Sequence, residues 1–244
     1  MLRKLVILSG LAILALMTAK AEALRVSPMI LEVTPTGRTS IARVELAHTG
    51  DSEFPVEVQM FRGEISETGE LKLTPADEDF LVFPAQVVVP ARSQQVFRVQ
   101  YIGEPELVTS ENYYMQIRQI PVDLATGQSQ VQVVVNYNIL VNVIPQDTRP
   151  EAVIESIRPV VRENVNGIEV RVKNSGTRYF TAGTLPWRIT GTAEDGTAVD
   201  IRLPPTEISK LIGVGVITPG RARIFFIPTE KPLVEGSIQA DVDL

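Results

Sequence analysis

Apolar and polar residues alternate along most of this chain. In Val44-Glu45-Leu46-Ala47-His48 and in Phe54-Pro55-Val56-Glu57-Val58-Gln59-Met60, apolar side chains recur at every second position. That is the period of a strand with one face buried. Similar runs cover 24–33, 80–89, 95–102, 112–120 and 130–144, which predicts about seven strands before residue 145. Turn-forming clusters separate them, among them Thr36-Gly37, Thr49-Gly50-Asp51-Ser52, Thr68-Gly69 and Ala125-Thr126-Gly127. Pro145-Gln146-Asp147-Thr148-Arg149-Pro150 then interrupts the pattern, because two prolines among polar residues cannot continue a ladder. Strand patterns resume at 152–157, 168–173, 185–190, 199–203, 211–217, 221–227 and 237–242. No amphipathic helical run longer than two turns follows the first 23 residues.

Two successive sets of short strands with regular turns imply an all-β protein of two immunoglobulin-like β-sandwich domains joined by a short linker. The expected boundaries are 22–145, a linker at 146–150, and 151–244. A chain of 244 residues is comfortable for two domains of that size. Trp187, the only tryptophan, falls in a strand pattern and is expected to anchor the second core.

The leading segment is of another kind. Arg3 and Lys4 precede an apolar run from Leu5 to Met17, and Thr18-Ala19-Lys20-Ala21-Glu22-Ala23 offers A-x-A cleavage patterns after Ala21 or Ala23. This is the layout of a secretory signal peptide, with an apolar run too short to span a bilayer. Residues 1–21 are therefore expected to be removed and the mature protein to enter the periplasm without stable membrane insertion. Their removal takes away Arg3, Lys4 and Lys20 and carries the net charge from −6 to −9. An acidic chain with no basic cluster makes nucleic acid an unsuitable partner.

One strand exceeds the needs of a sandwich. From 131 to 143 every odd position is apolar or aromatic: Val131, Val133, Val135, Tyr137, Ile139, Val141, Val143. Most even positions are Gln or Asn, with Val134, Leu140 and Ile144 as exceptions. Such alternation predicts an extended strand of roughly 43 Å at about 3.3 Å per residue, against a usual length of about five or six residues. Either both domains share this strand, or part of its apolar face is offered to another protein by strand addition.

Catalytic chemistry finds little support. Cysteine is absent and His48 is the only histidine, which excludes the usual zinc sites. No G-x-S-x-G elbow or phosphate-binding glycine loop accompanies that histidine. Asp77, Glu78 and Asp79 lie in a polar run and read as solvated. No catalytic residue, metal or cofactor is expected.

The order of these features resembles the periplasmic chaperones of the chaperone–usher pathway, in its divergent (archaic or alternative) branch. The resemblance is carried by Phe83-Pro84, Val89-Pro90 and Gln95-Val96-Phe97-Arg98-Val99. It continues through Tyr114-Met115-Gln116-Ile117-Arg118-Gln119-Ile120-Pro121 and the long alternating strand ending at Pro145. It implies a chaperone that binds and caps pilus or fimbrial subunits by donating a β-strand, then delivers them to an outer-membrane usher. Val131, Val133, Val135 and Tyr137 would be the donor residues. Classical members anchor a subunit's C-terminal carboxylate with an arginine on the first strand and a lysine on the long strand. Here 128–145 holds no basic residue, and Arg25 precedes the matching place, which Pro28 or Met29 occupies. Arg98, Arg118 and Arg25 are the remaining candidates, the first two as strand arginines at a domain cleft. Alternatives are a fibre subunit or adhesin, and an immunoglobulin-like module without a client. Against the first, this chain has the last strand that such subunits lack.

Overall fold

The computed structural model describes residues 24–121 and 134–244. The expected signal peptide and the donor residues Val131 and Val133 lie outside them. The fold is the expected pair of β-sandwiches. In the first domain, Leu24–Ser27 (β1), Ile41–His48 (β3), Gln94–Tyr101 (β8) and Phe80–Phe83 (β6) form one sheet, in the order β1-β3-β8-β6. Ile30–Val33 (β2), Asn136–Val143 (β10), Glu111–Gln119 (β9), Phe54–Ile65 (β4) and Leu71–Pro75 (β5) form the other, in the order β2-β10-β9-β4-β5. Gln86–Val89 (β7) pairs with the start of β4.

The period-two pattern becomes the core. Val44 and Leu46, Val56 and Met60, Phe97 and Val99, Met115 and Ile117, and Ile139, Val141 and Val143 are all buried between the two sheets. A second, separate core forms among Ala152–Arg162 (β11), Val165–Asn174 (β12), Phe180–Thr181 (β13), Trp187–Thr192 (β14), Ala198–Leu203 (β15), Val216–Ile217 (β16), Ala222–Pro228 (β17) and Gln239–Val242 (β18). Trp187 is 2% exposed there, donates its Nε1–H to the Ala182 carbonyl at 2.9 Å, and meets Phe225 edge-on.

Three expectations change. The run 211–217 is not a strand: Pro205–Ile212 forms a helix (α1), and only Val216–Ile217 is extended. Two turns are too short to display a helical period, but proline at the first helical position is a helix-start signal that the pattern held. The second change is β5, which pairs with β4 from Ile65↔Leu71 to Phe61↔Pro75 in a run the alternation did not single out. The third is the long strand, whose described part is the eight residues of β10, preceded by Val134 and Val135 outside any strand.

Two of the three even-position exceptions in that strand now have a cause. Leu140 and Ile144 point away from the first core and join Tyr114, Tyr179 and Val216 in a cluster that spans both domains. Between them Asn142 is fully buried, accepting from Asn112 Nδ2 at 2.5 Å and donating to the Leu31 carbonyl at 3.2 Å. Around the joint, Tyr179 donates its hydroxyl to Glu32 at 2.6 Å, and Arg178 pairs with the same carboxylate at 2.9 Å. Burial, then the hydrogen bond to Glu32, raises the Tyr179 pKa well above the usual phenol range.

The linker is stapled rather than free. Thr177 and Arg178 both donate backbone N–H groups to the Arg149 carbonyl, and Ser175 donates to Glu151. Gly176 allows this approach, since a Cβ there would sit 2.2 Å from Arg149 O. Among the described residues no helix is long and apolar enough to cross a membrane.

Candidate functional site: the open edge of β10

β10 runs antiparallel to β9 along its whole length, from Asn136↔Arg118 to Val143↔Glu111. On its other side β2 lies parallel, but only from Leu140↔Ile30 to Val143↔Val33. The reason is Pro28. The chain crosses from one sheet to the other at Ser27-Pro28, so β1 pairs with β3 and β2 begins only at Ile30. No described strand flanks β10 on that side over Asn136–Ile139.

Backbone alternation identifies which groups this leaves open. Leu140 N–H donates to Met29 O and Ile144 N–H to Val33 O, so even-numbered amides face β2. Val135 O accepts from Gln119 N–H, so odd-numbered groups face β9. By the same alternation, the backbone groups of Asn136 and Asn138 face the side where β2 has ended. Beside this edge Met29, Ile30 and Val134 are exposed, at 44%, 39% and 44%. A strand edge with free donors and an apolar margin is a template for another strand.

The odd side chains follow the core inward. Ile139, Val141 and Val143 are buried, and Tyr137 is half-buried against the same core. Tyr137 donates its hydroxyl to the Leu24 carbonyl at 2.9 Å, tying β10 to β1 across the gap between the sheets. Its side chain is thus engaged within its own domain in this structure. Val135 is half-buried at the end of this row.

The three candidate arginines do not converge. Arg98 and Arg25 point outward from the β1-β3-β8-β6 sheet, whereas Arg118 is exposed on the other sheet and pairs with Glu57. Arg118 also lies four residues beyond Tyr114, about 13 Å along the strand from the domain joint. A joint anchor built from Arg98 and Arg118 is therefore excluded by placement: strand alternation sends the two side chains to opposite outer surfaces. The cations that line the cleft between the domains are Arg62, Lys72 and Arg221.

Arg62 belongs to a network that the sequence did not reveal. It pairs with Glu111 at 2.9 Å and Asp79 at 3.1 Å, donates to the Tyr113 hydroxyl at 2.7 Å, and lies over the Tyr113 ring. Asp77 accepts from Met60 N–H at 2.8 Å. Asp77 and Asp79 thus act as structural acceptors, Asp77 while remaining exposed and Asp79 half-buried beside Arg62. Burial, then the Glu111 hydrogen bond, pushes the Tyr113 phenol far above its ordinary pKa. His48 is likewise buried, its Nε2 2.7 Å from the Ser52 carbonyl, which assigns the proton to that nitrogen.

No family profile and no curated protein sequence matches the chain. Solved structures do. The class 5 fimbriae chaperone CfaA superposes with a TM-score of 0.54 at 13% identity, covering 91% of this chain and 99% of that one. The fold is that of fimbrial chaperones. A chain of the Salmonella enterica SafA pilin–SafB chaperone complex gives 0.51 at 12% identity, covering 92% and 98%. A chain of the CsuC–CsuE chaperone–tip subunit complex, from archaic Csu pili of Acinetobacter baumannii, gives 0.51 at 12%, covering 84% and 90%.

Proposed function

We propose that this protein is a periplasmic chaperone of fimbrial or pilus subunits, exported by a cleaved signal peptide, that completes an unfinished subunit by adding to it the alternating sequence that precedes β10 as a strand. The observation that carries this reading is the open edge at Asn136 and Asn138, continuous with a row of side chains that already fills one sandwich core. A subunit lacking one strand needs both things: backbone partners along an edge, and alternate apolar side chains in its groove. Similarity of fold to chaperones solved with a pilin or a tip subunit supports the same reading. We read the protein as non-enzymatic, since His48 is engaged at a turn and has no nucleophile among its hydrogen-bond partners.

Delivery to an outer-membrane usher requires a surface that stays free while the β10 edge is occupied. The outer face of the opposite sheet fits that requirement. Leu81 and Phe83 are 57% and 74% exposed there, beside Val96, Arg98 and Arg43. Arg43 has no ion-pair partner among the described residues, nor has Arg98, on a chain of net negative charge. The experiment is co-purification from the periplasm with a co-expressed, strand-deficient pilus subunit and its usher. The wild type should retain the subunit, and a double Phe83→Ala, Arg98→Ala variant should retain it equally while losing the usher. Failure of the wild type to hold any such subunit would contradict the chaperone reading; usher capture by the double variant would contradict only the second surface.

A further inference from the structure

We propose that the β4–β5 hairpin is a strut that locks the angle between the two domains. β4 is 12 residues long and runs past the end of its own sandwich, so the turn Ser66–Glu70 reaches the second domain. There it makes two kinds of contact. The Glu67 carbonyl accepts from Ile224 N–H at 2.8 Å on β17, the edge strand of the β11-β12-β17 sheet. The Glu67 carboxylate takes both arms of Arg171, at 3.1 Å from Nε and 2.5 Å from Nη2. Arg171 is itself held by Glu155 on β11, so the tip is tied to all three strands of that sheet.

The turn is built to hold this shape. Ser66 N–H donates to Glu70 O at 2.9 Å, Gly69 N–H to Ser66 O at 3.0 Å, and Glu70 N–H to Ser66 Oγ at 3.0 Å. Gly69 has φ +98°, and a Cβ there would lie 2.6 Å from an Arg223 nitrogen, so the guanidinium closes over the tip. Arg223 is half-buried, donates to Val216 O at 3.2 Å and stacks on Phe225. Desolvation lowers its pKa, as befits a cation enclosed by the contact.

The hairpin carries the contact between the domains well beyond the joint, around a cleft beside it. A space of about 670 Å³ separates the hairpin from the Thr109–Asn112 segment, with Thr218, Pro219 and Arg221 of the second domain as its far wall. The domains are therefore joined along two sides of this cleft, which meet at its floor, where Ile65 and Leu73 of the hairpin pack against the cluster of Tyr114, Leu140, Ile144, Tyr179 and Val216. One is the joint of Leu140, Ile144 and Tyr179 beside the stapled linker, and the other is the hairpin tip. A single joint leaves a rotation about itself, and domains joined by one small interface ordinarily move. An attachment that extends to the far side of the cleft removes that rotation. The direction of the second domain relative to the β10 edge is then fixed before any partner binds.

The absence of cysteine makes the test direct. Spin labels at Glu53→Cys and Glu235→Cys, both exposed and in different domains, report the interdomain distance in the full chain. The strut predicts a narrow, single distribution and one cooperative melting transition. Replacing Ser66–Glu70 by Asn-Gly, a turn that still closes the β4–β5 pair, should broaden the distribution and resolve two transitions. Arg171→Ala, which keeps the hairpin intact, should move both readouts the same way to a smaller extent. An unchanged narrow distribution in the shortened-hairpin variant would overturn the proposal, as would a broad distribution in the unmodified protein.

Discussion

Val133→Asp should abolish retention of a subunit, while Gln132→Asp should leave it close to wild type. Counting back in twos from Val143, Val141 and Ile139, all buried in the first core, passes Tyr137 and Val135 and reaches Val133 and Val131. Once extended against a subunit, these side chains would share one face and Gln132 would take the other. Tyr137 remains within its own domain through Leu24, so the row available to a partner begins beyond it. A carboxylate forced into an apolar groove has no partner there, and a cost of about 4 kcal/mol weakens binding about a thousandfold. Pull-down with a co-expressed subunit reads the loss, with a thermal melt of each free variant as control. Equal loss from both substitutions would mean that side-chain register does not govern capture.

Trp187→Ala should remove most of the stability of the second domain while sparing the first. Trp187 is buried, edge-on to Phe225 at 5.8 Å, and its indole N–H satisfies the Ala182 carbonyl. Truncating a buried tryptophan costs about 3–5 kcal/mol, and the stranded carbonyl adds about 1–3 kcal/mol. Domains are stable by only about 5–15 kcal/mol. Denaturant unfolding followed by far-ultraviolet circular dichroism should show an early transition that Trp187→Phe largely restores. A loss below about 1 kcal/mol would place the centre of that core elsewhere.

Much of this architecture was legible because a sandwich writes itself at period two. The members of β3, β4, β8, β9 and β10 that fill the first core are the apolar positions of the alternation, and Trp187 sits where its strand pattern put it. What escaped depends on contacts between segments far apart in sequence. Leu140 and Ile144 break the alternation because a second domain covers the outer face of β10 there. Asp79 reads as a loop charge until Arg62 and Tyr113, from two other strands, arrive beside it. Arg98 and Arg118 are indistinguishable as strand arginines, and only the sheet assignment separates one outward face from the other. The open edge is a partial exception. Pro28 was visible, but its consequence, a late start to β2, needed the register.

The most direct test of strand addition acts on the backbone itself. Asn136 is the first residue of β10, and its N–H faces away from β9, toward the side that β2 does not reach. Proline removes that single donor, and sheets accept proline at the first residue of a strand and on edges facing solvent. Asn136→Ala keeps the donor and changes only the side chain. Subunit capture should therefore survive Asn136→Ala and fail in Asn136→Pro, with both free proteins melting close to wild type. Full capture by a correctly folded Asn136→Pro protein would contradict the account, because a strand would then be binding without the edge it is said to use.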